Sequence, residues 1–348
     1  MPYDFKNLVF EGGGVKGIAY VGALDVLEKK GILPSITRVG GASAGAINAL
    51  LLGLGYTCNE MLSILKQLDF RNFLDDDWGV IRDTNRLFTQ YGIYKGDFFR
   101  AWAGDLIARK LNNREATFWD AVSGTGKGHC RDMYFITTNL STGFSEVYSC
   151  EHTPRVTLAD AVRMSMSIPL LFAAVRNIRS DVFVDGGVLD NYPIKLFDRE
   201  KYLSPAAIGS SGRSTEYYAA VNARAANEGH TISSPYIYNK QTLGFRLDAR
   251  EEIALFRDQA EPQHHKIDSL VSYGVRLIES FYSIQDDQHL HSDDWHRTIY
   301  IDTLGVGTTD FGLPEPGKNA LVESGAKCTE AYFKWFDDPN HPVRPLNG

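Results

Sequence analysis

Gly41-Ala42-Ser43-Ala44-Gly45 sets a serine among small residues, the pattern found where a sharp turn must push a hydroxyl clear of the backbone. Such a serine is a candidate nucleophile for acyl transfer, and a helix starting behind it would stabilise developing negative charge. The same five residues also make an ordinary small-residue turn, so the motif alone decides nothing. Gly12-Gly13-Gly14-Val15-Lys16-Gly17 is a glycine loop with two uses. It fits the G-x-G-x-x-G of dinucleotide sites, which also need an acidic residue closing a second strand about twenty residues on. That distance falls between Glu28 and Pro34, in a helix end and turn, and nothing acidic closes Ile36 to Gly40. The other use is an oxyanion hole of backbone N–H groups, each worth roughly 3–4 kcal/mol in acyl transfer, with Lys16 adding positive charge beside it. A serine motif on the neighbouring strand favours this second use.

A serine hydroxyl needs a group to take its proton, usually histidine. Of His129, His152, His230, His264, His265, His289, His291, His296 and His341, nearly all lie in polar, loop-like surroundings, and none sits at a strand-end turn. Asp185-Gly186-Gly187 instead follows the apolar run Val182-Phe183-Val184. In a parallel sheet the strand C-termini share one edge, which predicts Asp185 on the same rim as Ser43 and the glycine loop. A carboxylate of ordinary pKa, about 4, is a weak base for a hydroxyl. Partial burial of Asp185 would raise its pKa, and neighbouring oxyanion donors can favour the transition state enough to compensate. Asp75-Asp76-Asp77 reads as a solvated loop rather than a metal site. Cys58, Cys130, Cys150 and Cys328 are far apart, without zinc spacing, and read as reduced and mostly buried. Neither a metal nor a cofactor is expected.

The elements that must position these groups alternate between strand and helix. Leu8 to Phe10 reads as a buried strand entering the glycine loop. Ile18, Val21, Ala23, Leu24 and Leu27 keep helical spacing up to Lys29-Lys30-Gly31, a C-terminal signature. Ile36 to Gly40 is a second strand and Ala44 to Leu52 a second helix. This order predicts an α/β fold, a mostly parallel sheet flanked by helices. Thr57-x-x-Glu60 and Thr157-x-x-Asp160 start further helices. Residues 80–111 read as two helical segments broken at Tyr91-Gly92, with Phe98, Phe99 and Trp102 first as core and second as acyl-pocket lining. Met133 to Thr138 and Val147-Tyr148 form a hairpin around Thr142-Gly143. Residues 203–234 are rich in Ala, Ser, Gly and Asn, consistent with a mobile lid or insertion. The stripe Ile267, Leu270, Val271, Leu277, Ile278 and Phe281 reads as a core-facing helix, with membrane contact the alternative. Thr298 to Ile301 and Ala320 to Phe336 supply a last strand and helix. Nothing splits residues 1–348 into two domains.

The chain's 348 residues are 43% hydrophobic and 23% charged, with a net charge of −7. That balance argues against nucleic-acid binding and against electrostatic docking to anionic lipid. The N-terminus lacks a signal-peptide pattern, and the most apolar stretch, Ala42 to Tyr56, is too short and interrupted to span a bilayer. The expectation is a protein without a transmembrane segment, cytoplasmic or exported without a cleavable signal, whose membrane contact is peripheral.

Taken in order, Glu11-Gly12-Gly13-Gly14-Val15-Lys16-Gly17, Gly41 to Gly45 and Val184-Asp185-Gly186-Gly187 resemble the patatin-like phospholipase family, nearest its bacterial single-domain branch. The resemblance extends to Ser167-Ile168-Pro169, Asp190-Asn191-Tyr192-Pro193 and Thr242-Leu243-Gly244-Phe245, and so covers most of the chain. Glu11 departs from the aspartate common in plant members. The resemblance implies a patatin-like three-layer fold and hydrolysis of acyl esters of phospholipids, lysophospholipids or related lipids, without calcium. It also implies Ser43 as nucleophile, Asp185 as general base, and the backbone at Gly12, Gly13 and Gly14 as oxyanion hole. Lys16, Gly17, Gly41, Gly45, Gly186 and Gly187 would complete the motifs. A nucleotide-binding protein using the glycine loop and a non-catalytic lipid-binding protein are the rival readings.

Overall fold

The computed structural model describes residues 3–73, 89–124, 130–205, 207–208, 216–227, 234–248, 267, 273–274, 276–277, 280–281 and 293–340. Strands β1 (Asn7–Phe10) and β2 (Arg38–Ala42) lie side by side and parallel, joined through helix α1 (Ala19–Lys29). β2 leads into α2 (Ala44–Gly53) and pairs in parallel with β4 (Asp132–Asn139). On the other flank β1 pairs in parallel with β9 (Thr242–Asp248), and β9 with β10 (Thr298–Asp302). The result is a mixed α/β fold with a central sheet flanked by helices. Alternation along β1 shows why both faces need cover. Leu8 and Phe10 enter the main core with α1, α2 and the long α9 (Glu315–Phe336). Val9 faces the other way and joins Tyr134, Tyr192, Ile194 and Phe197.

Local signals set the helix starts. Thr57 forms the capping box with Glu60 at the head of α3 (Cys58–Gln67), Thr117 forms one with Asp120 at the head of α5 (Phe118–Ser123), and the Thr157 hydroxyl accepts from the Asp160 amide at the head of α6 (Leu158–Ser165). The break at Tyr91-Gly92 is a short strand, β3 (Gly92–Tyr94), parallel to β6 (Leu170–Phe172) and followed by α4 (Asp97–Leu111). In α4 Phe99 is buried while Phe98 is exposed, so only the first belongs wholly to the core. The hairpin around Thr142-Gly143 is β4 with β5 (Phe144–Ser149).

Three expectations need correction. The strand carrying Asp185, β8 (Val182–Asp185), runs antiparallel to β4, so Asp185 does not reach the site by a shared parallel rim. Of the 266–284 stripe, Ile267, Leu277 and Phe281 are exposed rather than core-facing, and Gly274 lies against Leu170, while Leu270, Val271 and Ile278 lie outside the described residues. The cysteines are free, but only Cys58 is fully buried. Of the proposed lid at 203–234, the described part includes helix α8 (Glu216–Asn227); residues 209–215 and 228–233 lie outside the described residues, as does Asp75-Asp76-Asp77. Among the described residues no helix is long and apolar enough to cross a membrane.

The N-terminal ends of β9 and β10 are tied to Asp198 by a buried charge cluster. The Arg297 guanidinium donates to both Asp198 oxygens at 2.6 and 2.7 Å, and to Asp294 Oδ1 at 2.6 Å. Tyr218 and the Asn239 amide also donate to Asp198. Truncating one member leaves the others charged and dry, which costs more than the intact cluster contributes. Arg297→Ala is expected to lower stability by about 3–5 kcal/mol in urea unfolding, whereas an exposed control such as Arg71→Ala should leave the urea midpoint nearly unchanged.

Candidate active site

Ser43 stands alone between β2 and α2, with φ 52° and ψ −125°, a conformation few non-glycine residues adopt. This is the strained strand-to-helix turn that its small neighbours permit, with Gly41 inside β2 and Gly45 in the first turn of α2. A Cβ at Gly45 would sit 2.3 Å from the Phe10 carbonyl oxygen, so the turn can press against β1 only with glycine there. Ser43 is 3% exposed, and its Oγ lies 3.5 Å from Met166 Sδ.

The pairing of β4 explains how Asp185 comes to Ser43. From Tyr134 to Asn139 one edge of β4 is occupied throughout by β5. The other edge is taken by β2 as far as Ile136, which pairs with Ala42, and by β8 from Thr137, which pairs with Asp185. A strand residue has only two edges, so β2 and β8 lie end to end and point at each other. Their C-terminal tips, Ala42-Ser43 and Asp185, therefore meet at consecutive residues of β4. Asp185 is fully buried, and its Oδ1 accepts from the Gly187 amide at 2.7 Å. Gly186 and Gly187 form the turn into the short α7 (Gly187–Asp190).

The glycine loop closes the third side. A Cβ at Gly12 would lie 3.0 Å from Ser43 Cβ and 2.4 Å from Asn191 Oδ1, which puts the loop directly against the serine. Gly14 has φ 56° and faces the Thr308 carbonyl oxygen, 2.0 Å from where a Cβ would stand. The Gly12 amide is already engaged, donating to the Asn191 carbonyl at 3.0 Å. No such bond engages the amides of Gly13 and Gly14 among the described residues. Lys16 and Gly17 fall in the 3-10 turn that follows, Gly14–Ile18. Behind the loop Glu11 is buried, accepting from the Leu247 amide at 2.6 Å and from Asn191 Nδ2 at 3.4 Å, with Arg246 Nε 3.8 Å away. Arg246 also donates to Asp248 at 2.9 Å. The dinucleotide reading loses its footing here, since β2 ends in Gly41-Ala42 and carries no acidic residue for a ribose.

Two histidines fall among the described residues. His152 is bonded to Ser149 Oγ and follows β5, which ends opposite Tyr134. His296 stacks on Trp295 just before β10. Both belong to the end of the sheet where the parallel strands begin, away from Ser43.

A family model for patatin-like phospholipases matches residues 8–198, more than half of the chain. The chain belongs to the patatin-like phospholipase family. An uncharacterized protein of Bacillus subtilis (strain 168), YqhO, is 28% identical over 340 residues, covering 94% of this chain and 97% of that one. A probable lipid hydrolase of Invertebrate iridescent virus 6, 463L, is 28% identical over 198 residues, covering 56% of this chain and 64% of its own. The crystal structure of VipD from Legionella pneumophila shares the fold, with a TM-score of 0.61 and 18% identity over 96% of this chain and 67% of that one.

Within this patatin-like site, sequence reasoning missed Ser165. Its hydroxyl donates to the Ile136 carbonyl at 2.6 Å and accepts from the Ser43 amide at 3.0 Å. Its carbonyl accepts from the Gly186 amide at 3.4 Å, and the Ser167 carbonyl accepts from the Asp185 amide at 2.8 Å. One short segment, Ser165 to Ser167, thus holds both strand tips. Arg163 anchors that segment, donating to Ser167 Oγ at 2.6 Å and to the Ala173 carbonyl at 3.0 Å. The only local hint was the serine pair around Met166, which also reads as an unremarkable helix end. Asn191 was visible as part of a motif, but its grip on Gly12 was not.

Because Ser43 is held at a positive φ, Ser43→Gly is expected to be more stable than Ser43→Ala by about 1–2 kcal/mol in thermal or chemical unfolding. Equal stability of the two variants would remove the strain argument. Asp190, at the end of α7, is pushed up to about 7 by desolvation, against the opposing pull of Lys195. Its folded pKa lies above the unfolded one, so the native state holds a proton that the unfolded chain has released. That contribution to stability is complete below about pH 4 and is lost as pH rises through about 7. Asp190→Asn should therefore gain stability relative to the parent between pH 5 and pH 8, a difference read from urea midpoints at the two values.

Proposed function

We propose that the protein hydrolyses carboxylic ester bonds of phospholipids, lysophospholipids or related lipids, using Ser43 as nucleophile and Asp185 as proton acceptor. The observation that carries this reading is the head-on meeting of β2 and β8 on one edge of β4, with the glycine loop against the serine. Family membership supports lipid hydrolysis, and the iridescent-virus relative, named as a probable lipid hydrolase, points the same way.

In the first half-reaction the Ser43 hydroxyl turns from Met166, Oγ bonds to the ester carbonyl carbon, and its proton passes to the Asp185 carboxylate. The amides of Gly13 and Gly14 receive the negative charge that develops on the carbonyl oxygen, with the N-terminus of α2 behind them. Collapse of the tetrahedral species expels the alcohol, which takes the proton from Asp185 and leaves an acyl-serine. Water then gives a proton to Asp185 as its oxygen attacks the acyl carbon. Ser43 departs, regains that proton, and the fatty acid is released. Gly187 holds Asp185 Oδ1, which fixes the orientation of the carboxylate during both transfers.

In this reading Ser165 is a positioning residue, since it touches the backbone of Ser43 rather than the reacting atoms. On a panel of phospholipid and lysophospholipid substrates, Ser43→Ala and Asp185→Asn are each expected to lose on the order of 10³–10⁴-fold in rate. Wild-type rates in both variants would end the proposal, and rates that depended on a histidine instead of Asp185 would restore a triad. Ser165→Ala should slow covalent labelling of Ser43 by a fluorophosphonate roughly 10–100-fold, with Ser165→Thr, which keeps the hydroxyl, restoring most of it. A purely structural Ser165 would change the melting temperature without changing the labelling rate of the folded fraction.

A further inference from the structure

Two turns project side by side beyond the strand ends next to Asp185. The first joins β4 to β5 and carries Leu140 and Phe144, 52% and 70% exposed. The second joins β7 (Val175–Arg176) to β8 and carries Ile178, whose side chain is fully exposed, between exposed Arg176 and Arg179. They are bonded to each other: the Leu140 amide donates to the Val182 carbonyl at 2.8 Å, and the Val182 amide to Ser141 Oγ at 2.9 Å. Tyr91, 48% exposed, lies beneath Arg176, whose guanidinium is 5.5 Å from the ring centre.

In each turn one asparagine engages most of the amides. Asn139 Oδ1 accepts from the Ser141 and Thr142 amides, and the Asn139 carbonyl accepts from the Gly143 amide. Asn177 Oδ1 accepts from the Arg179 and Asp181 amides, its carbonyl accepts from the Ser180 amide, and Arg176 caps the Ser180 carbonyl at 3.1 Å. A turn whose amides are mostly bonded loses less on leaving water, and what it presents is an aliphatic or aromatic tip. Such tips gain by entering an apolar layer, while arginines beside them stay at the level of lipid phosphates.

We infer that these two turns are the surface by which the protein docks on a phospholipid bilayer, with Ile178, Phe144 and Leu140 inserted and Arg176 and Arg179 on the headgroups. The choice of a bilayer rather than a protein partner rests on this pairing of apolar tips with flanking cations and on position. Val182 at the turn and Asp185 in the site are three residues apart on one strand, about 10 Å. Insertion of tips by about 5–10 Å, the depth common to interfacial segments, would bring an ester at the headgroup boundary to within reach of Ser43. Asp181 and Glu146 also lie at this end, held by Asn177 and Asn139. They offset the arginines, so zwitterionic vesicles should bind as well as anionic ones to within a few-fold. The choice of lipid as partner rests on the ester-hydrolase reading; the docking surface itself is tested independently of it.

The full chain and the variant Phe144→Ser/Ile178→Asp are sedimented with vesicles of phosphatidylcholine, alone or with one-fifth phosphatidylglycerol. The expected result is roughly a tenfold or larger loss of vesicle partition in the variant on both compositions. Hydrolysis of vesicle-borne lipid should fall in parallel, while cleavage of water-soluble p-nitrophenyl butyrate and the melting temperature stay unchanged. Undiminished partition of the variant, or no partition of the parent, overturns the inference, as does a change in oligomeric state on size exclusion, which would make the turns a contact between copies. If the parent sediments through these tips yet cleaves no ester, the docking surface stands and the catalytic reading fails.

Discussion

The hydrogen-bonding edge of β4 is the constraint on which the site is built. Ile136 and Thr137 are neighbours on one strand, yet on the same edge they serve two strands arriving from opposite directions. Parallel β2 must stop where antiparallel β8 begins, so the chain leaves the ladder at Ser43 with nowhere to go but into a sharp turn. The Ile136 carbonyl at this junction would be left bare by the departing strand, and the Ser165 hydroxyl takes it. A buried carbonyl without a partner costs about as much as a lost hydrogen bond. The peg that repairs the sheet therefore also holds the Ser43 amide, and backbone satisfaction and placement of Ser43 are one event.

Around that junction the molecule is braced by buried charge at both ends of the sheet. Beside the glycine loop, Glu11 joins the amide of Leu247 to Asn191, and Arg246 stands between Glu11 and Asp248. At the opposite end Arg297 ties Asp198 to Asp294. Ions in such dry surroundings tolerate little displacement, because each depends on its partners for the solvation it has given up. The glycine loop, which has almost no side chains of its own to pack, borrows its rigidity from this frame. In the proposed acyl transfer such rigidity would help, because amides stabilise an oxyanion best if they need not reorganise as charge develops.

Net charge alone gives a misleading picture of the surface. At −7 the whole chain has little attraction for anionic lipid, but a bilayer meets only the part that faces it. At the end carrying Asp185, side chains of both signs surround exposed apolar tips, so for the docking inferred above apolar area rather than field is the relevant term. The same uneven distribution limits what a sequence stripe can say. Ile267, Leu277 and Phe281 keep helical spacing, and spacing fixes only which residues share a face, not which way the face looks.

Much of the site was legible because it depends on local chemistry. Small residues around Ser43, three glycines after an apolar strand, and an aspartate before two glycines are each demanded by the turn they make. The capping residues Thr57 and Thr157 fixed helix starts for the same reason, since a cap satisfies amides only two or three residues away. The sequence by itself thus determined the motifs, their order and the α/β class. Only the tertiary structure decided that β8 runs antiparallel, that Asp185 meets Ser43 tip to tip, that the Gly12 amide is spent on Asn191, and that Ser165 joins the two strand ends. Those facts rest on pairings between residues about 20 to 180 positions apart, and a strand's direction and edge are chosen by which neighbour satisfies its backbone, something no side-chain pattern within the strand encodes.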